Sequence, residues 1–174
     1  MPMLLMVGHR HDPGQIRTLP AGTTFSEIAT TSIVCGDLAA SRCLYGDVLG
    51  LESGTDAEVT NEYRELACNL TGAPQGSRIH LLLYKQADEP SGKVLLVHFF
   101  EASTRRLTGR MRPGRLGVSL FTHLASDLDD LKAKIEGPGV DIVTPPTSVA
   151  TASGVQRLML VKGPNEELLE FVEG

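Results

Sequence analysis

The sequence predicts an α+β fold made of two tandem βαβββ modules, and three observations carry that prediction. First, two stretches share one grammar, an apolar or β-branched run, then Asp-Leu, then a helix-like segment: TTSIVCGDLAASRCLYGDVLG and VSLFTHLASDLDDLKAKIEG. Second, their landmarks repeat at a near-constant offset, which marks an internal duplication. Asp37-Leu38 and Asp127-Leu128 lie 90 residues apart, and Gly50-Leu51-Glu52 and Gly139-Val140-Asp141 lie 89 apart. Third, each stretch is followed by a pair of strand-like runs around a turn.

The elements follow in order. Residues 1–26 hold Pro2, Pro13, Gly14, Pro20 and Gly22 without a sustained period, so they form an arm with a short strand at Leu4–His9. The first module, 27–102, opens with the strand TTSIVC, stopped by Gly36; Asp37 is the N-cap of a helix that closes at Gly50. SRIHLLLYK and KVLLVHFF then flank ADEPSG as a hairpin. Residues 103–115, STRRLTGRMRPGR, are a linker rich in Arg, Gly and Pro. In the second module, 116–174, VSLFTHLAS is the strand and Asp127 the cap. Asp129 and Asp130 occupy the helix's first turn, and GVQRLMLV and ELLEFVE flank KGPN.

Size and composition set the outer bounds. A chain of 174 residues with 41% apolar residues, 21% charged residues and a net charge of −5 is long enough for a real core and is no general polyanion binder. The Arg cluster 105–115 lacks interleaved aromatics, so it reads as a solvated linker and not as a nucleic-acid surface. Cys35, Cys43 and Cys68 form no CxxC pair and no paired framework, which points to a reducing cytoplasm. The opening MPMLLMVGHRHD is too short in apolar residues for a signal sequence or membrane span. His9, Arg10, His11 and Asp12 read as a solvated polar turn.

IVCGDLAASRCLYGDVLGLE, through Asp37, Leu38, Tyr45, Leu49, Gly50, Leu51 and Glu52, resembles the opening of a vicinal oxygen chelate protein. That superfamily holds glyoxalases, bleomycin-resistance proteins and extradiol dioxygenases. GPNEELLEFVE resembles its closing strand, keeping Pro164, Asn165 and Glu170 while lacking the leading Asp and the Gly. The resemblance implies paired βαβββ modules whose curved mixed sheet forms a cup around a small-molecule site, and homodimers by family habit.

It also implies four positions able to hold a divalent ion, in the first and last strand of each module. Carried over one at a time they fall on Thr30, Leu95, Leu120 and Glu170, and only Glu170 is a ligand. The expected metal and cofactor content is therefore none. A Zn, Ni, Mn or Fe ion enters only through an atypical site with His80 or His98. Strand alternation points His98 away from Leu95, Val97 and Phe99, and His123 away from Leu120.

The expected site is thus an apolar cup with one acid. Thr30, Leu95, Val97, Leu120 and Tyr84 contact a small organic ligand, and Glu170 accepts a hydrogen bond or a proton from it, as in an isomerase, epimerase or lyase. Two alternatives stand beside it: a sequestering protein of the resistance type, and a metal-dependent lactoylglutathione lyase or extradiol dioxygenase. A purely structural role for Glu170 requires an ion pair, with Arg157 or Lys162 as the candidates. Tyr45 reads as helix core.

Overall fold

The structure is a computed structural model that describes residues 30–59, 62–89, 92–101, 120–136, 140–152 and 154–174. The arm, the linker and the His9–Asp12 stretch lie outside the described residues.

β1, Thr30–Cys35, is the β-branched run TTSIVC. α1, Leu38–Arg42, starts directly after Asp37 and runs on as a π-helical turn, Cys43–Val48, in which Leu49 N–H reaches back to Leu44 O at 2.9 Å. Gly50 takes φ 68°, the left-handed conformation that ends helices, where a residue with Cβ would be strained. β2, Glu52–Glu58, and α2, Glu62–Thr71, come next, followed by the hairpin of β3, Ile79–Lys85, and β4, Lys93–Phe99.

The second half repeats the order. β5 is Phe121–Ala125 and α3 is Leu128–Glu136. Asp127 Oδ1 accepts from the N–H groups of Asp129 and Asp130 at 2.9 and 3.0 Å, the cap expected from the sequence. Those two N–H groups hold the Asp127 carboxyl below its ordinary range. β6, Asp141–Thr151, β7, Gly154–Lys162, and β8, Leu168–Glu173, complete the chain.

Two four-stranded sheets result, ordered β1-β4-β3-β2 and β5-β8-β7-β6. In each, the first strand runs parallel to the last and the others pair antiparallel, so both sheets are mixed and share one topology. The duplication read from the sequence is thereby visible as architecture. β6 contains Pro145 and Pro146, which donate no N–H; it tolerates them as an edge strand whose register shifts between Ile142 and Thr147.

The chain divides into two compact units. Among the described residues, one holds 30–38 and those from 51 to 101; the other holds 39–50 and those from 120 to 174. The helix that follows β1 therefore packs within the second unit. In the first unit, Ile79, Leu83, Leu95, Val97 and Phe99 form one apolar layer with Cys68 of α2, a helix that has no counterpart in a bare βαβββ module. In the second, Leu44, Tyr45, Leu128, Ile135, Met159, Val161 and Leu169 are fully buried.

Candidate functional site

Glu170 lies in the middle of β8, and strand alternation decides its surroundings. Leu169 and Phe171 face the buried side, while Leu168, Glu170 and Val172 face the other. β5 alternates in parallel register with it, pairing Thr122 with Glu170 and His123 with Phe171. Leu120, Thr122 and Leu124 accordingly share the face of Glu170, and Leu124 there is 80% exposed. Across β7, Leu160 pairs with Glu170 and Leu158 with Val172. The second unit thus presents an open apolar sheet face with a single carboxylate at its centre.

That carboxylate has one hydrogen-bond donor among the described residues. Thr122 Oγ1–H donates to Glu170 Oε2 at 2.7 Å. The cations suggested as partners are committed elsewhere: Arg157 binds Asp129 at 2.7 Å and Glu173 at 3.1 Å, and Lys162 binds Asp141 at 2.6 Å. Sequence reasoning missed Thr122, although its parity with Leu120 in FTHLA is the signal that finds it.

Thr122–Glu170 in the second sheet corresponds to Ser32–Leu95 in the first, each pair joining a first strand to a last. Thr30 lies on β1 with Ser32, on the face of Leu95 and Val97. Leu95 and Val97 are 1% exposed and belong to the layer covered by α2, so in this unit the equivalent face is packed and not open. Tyr84 does not join them. Leu83 pairs with Leu95 and Tyr84 with Val94, which turns the buried Tyr84 side chain to the opposite face of the sheet.

The histidines follow the expected parity. His98 pairs with Cys35 and His80, away from Leu95; its Nδ1 lies 3.0 Å from Cys35 O and its ring is edge-on to Phe100. His80 Nε2 lies 2.6 Å from Asp56 Oδ1. His123 stacks on Phe171 at 5.6 Å, and burial pushes its pKa down. No three His, Cys, Asp or Glu side chains converge among the described residues. With Thr30, Leu95 and Leu120 as the other three positions, the donor set does not fit a divalent ion.

Among the described residues the most deeply buried acid is a different one, Glu167, at 0% exposure. Its carboxylate accepts from Tyr45 O–H at 2.9 Å, from Asn165 N–H at 2.8 Å and from Asn165 Nδ2–H at 3.4 Å, while Asn165 Nδ2 also donates to Ser41. Burial raises the Glu167 pKa, and the Tyr45 and Asn165 hydrogen bonds oppose that rise. The cluster needs glycine at 163, since a Cβ there would stand 2.3 Å from Glu167 Cδ. Tyr45 is core, as its helical position suggests, and its hydroxyl ties the helix to the β7–β8 turn. Both residues are tied into the fold and away from the open face.

Comparison with known proteins agrees with this architecture. The model of the Glyoxalase/Bleomycin resistance protein/Dioxygenase superfamily matches residues 27–171. Among solved structures, a glyoxalase family protein from Bacillus cereus is 18% identical, with a TM-score of 0.69 over 89% of this chain and 98% of that one. A glyoxylase/bleomycin resistance protein/dioxygenase domain from Frankia sp. EAN1pec is 13% identical, with a TM-score of 0.61 over 87% and 99%. TnmS3, an antibiotic binding protein from Streptomyces sp. CB03234, is 14% identical, with a TM-score of 0.55 over 87% and 98%. No curated protein matches the chain. A family match over nearly the whole length, on a fold of two mixed sheets with one repeated topology, means that the chain belongs to the glyoxalase/bleomycin resistance protein/dioxygenase superfamily.

Proposed function

We propose that the chain binds a small organic molecule on the open apolar face of its second unit, with Glu170 accepting a hydrogen bond from a ligand O–H or N–H. The single observation that carries this reading is the state of Glu170: Thr122 engages one oxygen at 2.7 Å, and no cation pairs with the group among the described residues. A carboxylate oriented by one donor, with acceptor capacity left over, suits a ligand that brings its own donor. The surrounding leucines and Val172 give an apolar ligand body area to cover. The relative described as antibiotic binding supports ligand capture as a use of this fold.

A second reading is favoured by the same geometry. A carboxylate with one oxygen fixed can take a proton from carbon or oxygen, so Glu170 can serve as the general base of an isomerase or lyase without metal.

Mass spectrometry of small molecules released from purified protein tests binding. A compound carried by the wild type should be depleted about tenfold or more in Glu170→Gln, as befits loss of a charged hydrogen-bond acceptor. An identical set from both proteins overturns the reading. Deuterium uptake from solvent into that compound, present with wild type and absent with Glu170→Gln, separates catalysis from capture.

A further inference from the structure

β2 and β6 hold the same place in the two sheets: each is an edge strand, with a hydrogen-bonded neighbour on one side only among the described residues. An unpaired edge offers a row of N–H and C=O groups to any strand that approaches, and folds guard it with charge, proline or brevity. β2 is guarded along its length. All of its residues are exposed, and Glu52, Asp56 and Glu58 among them are acids.

β6 is guarded only in part. It is the longest strand among the described residues, at 11 residues, and from Ile142 to Gln156, across the turn into β7, no residue carries a charge. Pro145 and Pro146 guard its first half, where the register against β7 also shifts. Beyond them, Thr147–Thr151 pairs with β7 without interruption, from Thr147 opposite Leu158 to Thr151 opposite Gly154, and every residue of this stretch is exposed. Alternate residues in it turn their N–H and C=O groups outward, away from β7.

Charge selects what can cover that edge. The chain carries a net charge of −5, so two copies repel one another in general, and pairing through β2 would set acid against acid. Thr147–Thr151 is neutral and complements itself: run antiparallel to its own copy, it sets valine beside valine and threonine beside threonine. An edge that meets its own copy about a two-fold axis is used up on both sides, so the assembly closes at two chains.

We propose that the chain forms a homodimer in which the β6 edges of two copies pair antiparallel over Thr147–Thr151, about a two-fold axis at Val149, joining two four-stranded sheets into one. In that register Val149, exposed on the single chain, faces its own copy, Thr147 stands opposite Thr151, and Ser148 opposite Ala150. A short strand pair is a small interface, which makes the dimer weak and reversible, with a dissociation constant on the order of micromolar. The interface uses neither Glu170 nor Thr122, so neither proposal depends on the other.

Sedimentation of the full chain over a micromolar concentration series is the test. Wild type shows a monomer–dimer equilibrium. Val149→Lys and Val149→Glu each weaken it about tenfold or more, because each sets like charges opposite one another across the axis. An equimolar mixture of the two variants recovers a dimer tighter than either forms alone, which a misfolded variant cannot do. Leu124→Lys, on the far edge strand β5 of the same sheet, leaves the equilibrium unchanged. A monomer at every concentration, an unchanged dimer in Val149→Lys, or a mixture that stays monomeric overturns the proposal. So does an equal loss in Leu124→Lys, which would assign association to the open apolar face.

Discussion

Glu166 adopts φ 70° in the turn between β7 and β8, where its N–H bonds Gly163 O at 3.1 Å. An L-residue held there is strained by about 1–2 kcal/mol, and glycine removes that strain. Glycine also loosens the unfolded chain, which returns about 0.5–1 kcal/mol. The difference favours the substitution, so Glu166→Gly should raise the unfolding free energy by about 0.5–1 kcal/mol. Urea denaturation should show a higher midpoint at an unchanged slope. The lost Gly of the closing motif was legible in GPNEELLEF, and the structure explains what its loss costs. Nothing in that string announced that Glu167, the next residue, turns inward to meet a tyrosine 122 positions earlier. A contact of that separation is a property of the fold and leaves no local signal.

The elements divide by whether their cause is local. Caps, β-branched runs and hairpins have local causes, so Asp127, TTSIVC and the β3–β4 pair follow from the residues alone. α2, EYRELACNLT, is not expected from the sequence, and in the structure it packs Cys68 into the layer of Leu95 and Val97. That helix also explains why Leu95 and Val97, sensible linings of an empty cup, sit in a packed core. β6 is hidden by its two prolines, which only an edge position allows. The π-helical turn Cys43–Val48 is likewise silent in the sequence. It carries Tyr45, whose hydroxyl joins that turn to Glu167. Tyr45→Phe keeps the ring's packing but strips the buried carboxylate of a donor, so it should cost about 1–3 kcal/mol in unfolding free energy, read by denaturation near neutral pH. A neutral result would mean that Asn165 alone satisfies the acid.

The stability of the whole chain between about pH 5 and 7 should record two buried groups pulling in opposite directions. Glu167 has a folded pKa raised above its ordinary 4.5 by burial. It prefers the proton when folded, so its contribution is complete below that ordinary value and is lost as pH rises through the folded one. His123 has a folded pKa lowered below 6.5 by burial. It prefers to be neutral when folded, so its contribution is complete above 6.5 and is lost as pH falls. Asp127 is held down by backbone N–H groups and acts only below about 3.8, outside this interval. The wild-type profile is therefore a partial cancellation, and single variants expose its components. Glu167→Gln removes the alkaline-side loss and leaves His123 in charge, so its stability should fall more steeply than wild type on acidification from about pH 7 to pH 5. His123→Asn removes the acid-side loss and leaves Glu167, so its stability should instead rise over the same interval. Unfolding free energies measured by denaturant at several pH values decide the matter, because slopes of opposite sign in the two variants cannot come from a general effect of acid on the fold. Parallel slopes would assign the pH dependence to groups at the surface.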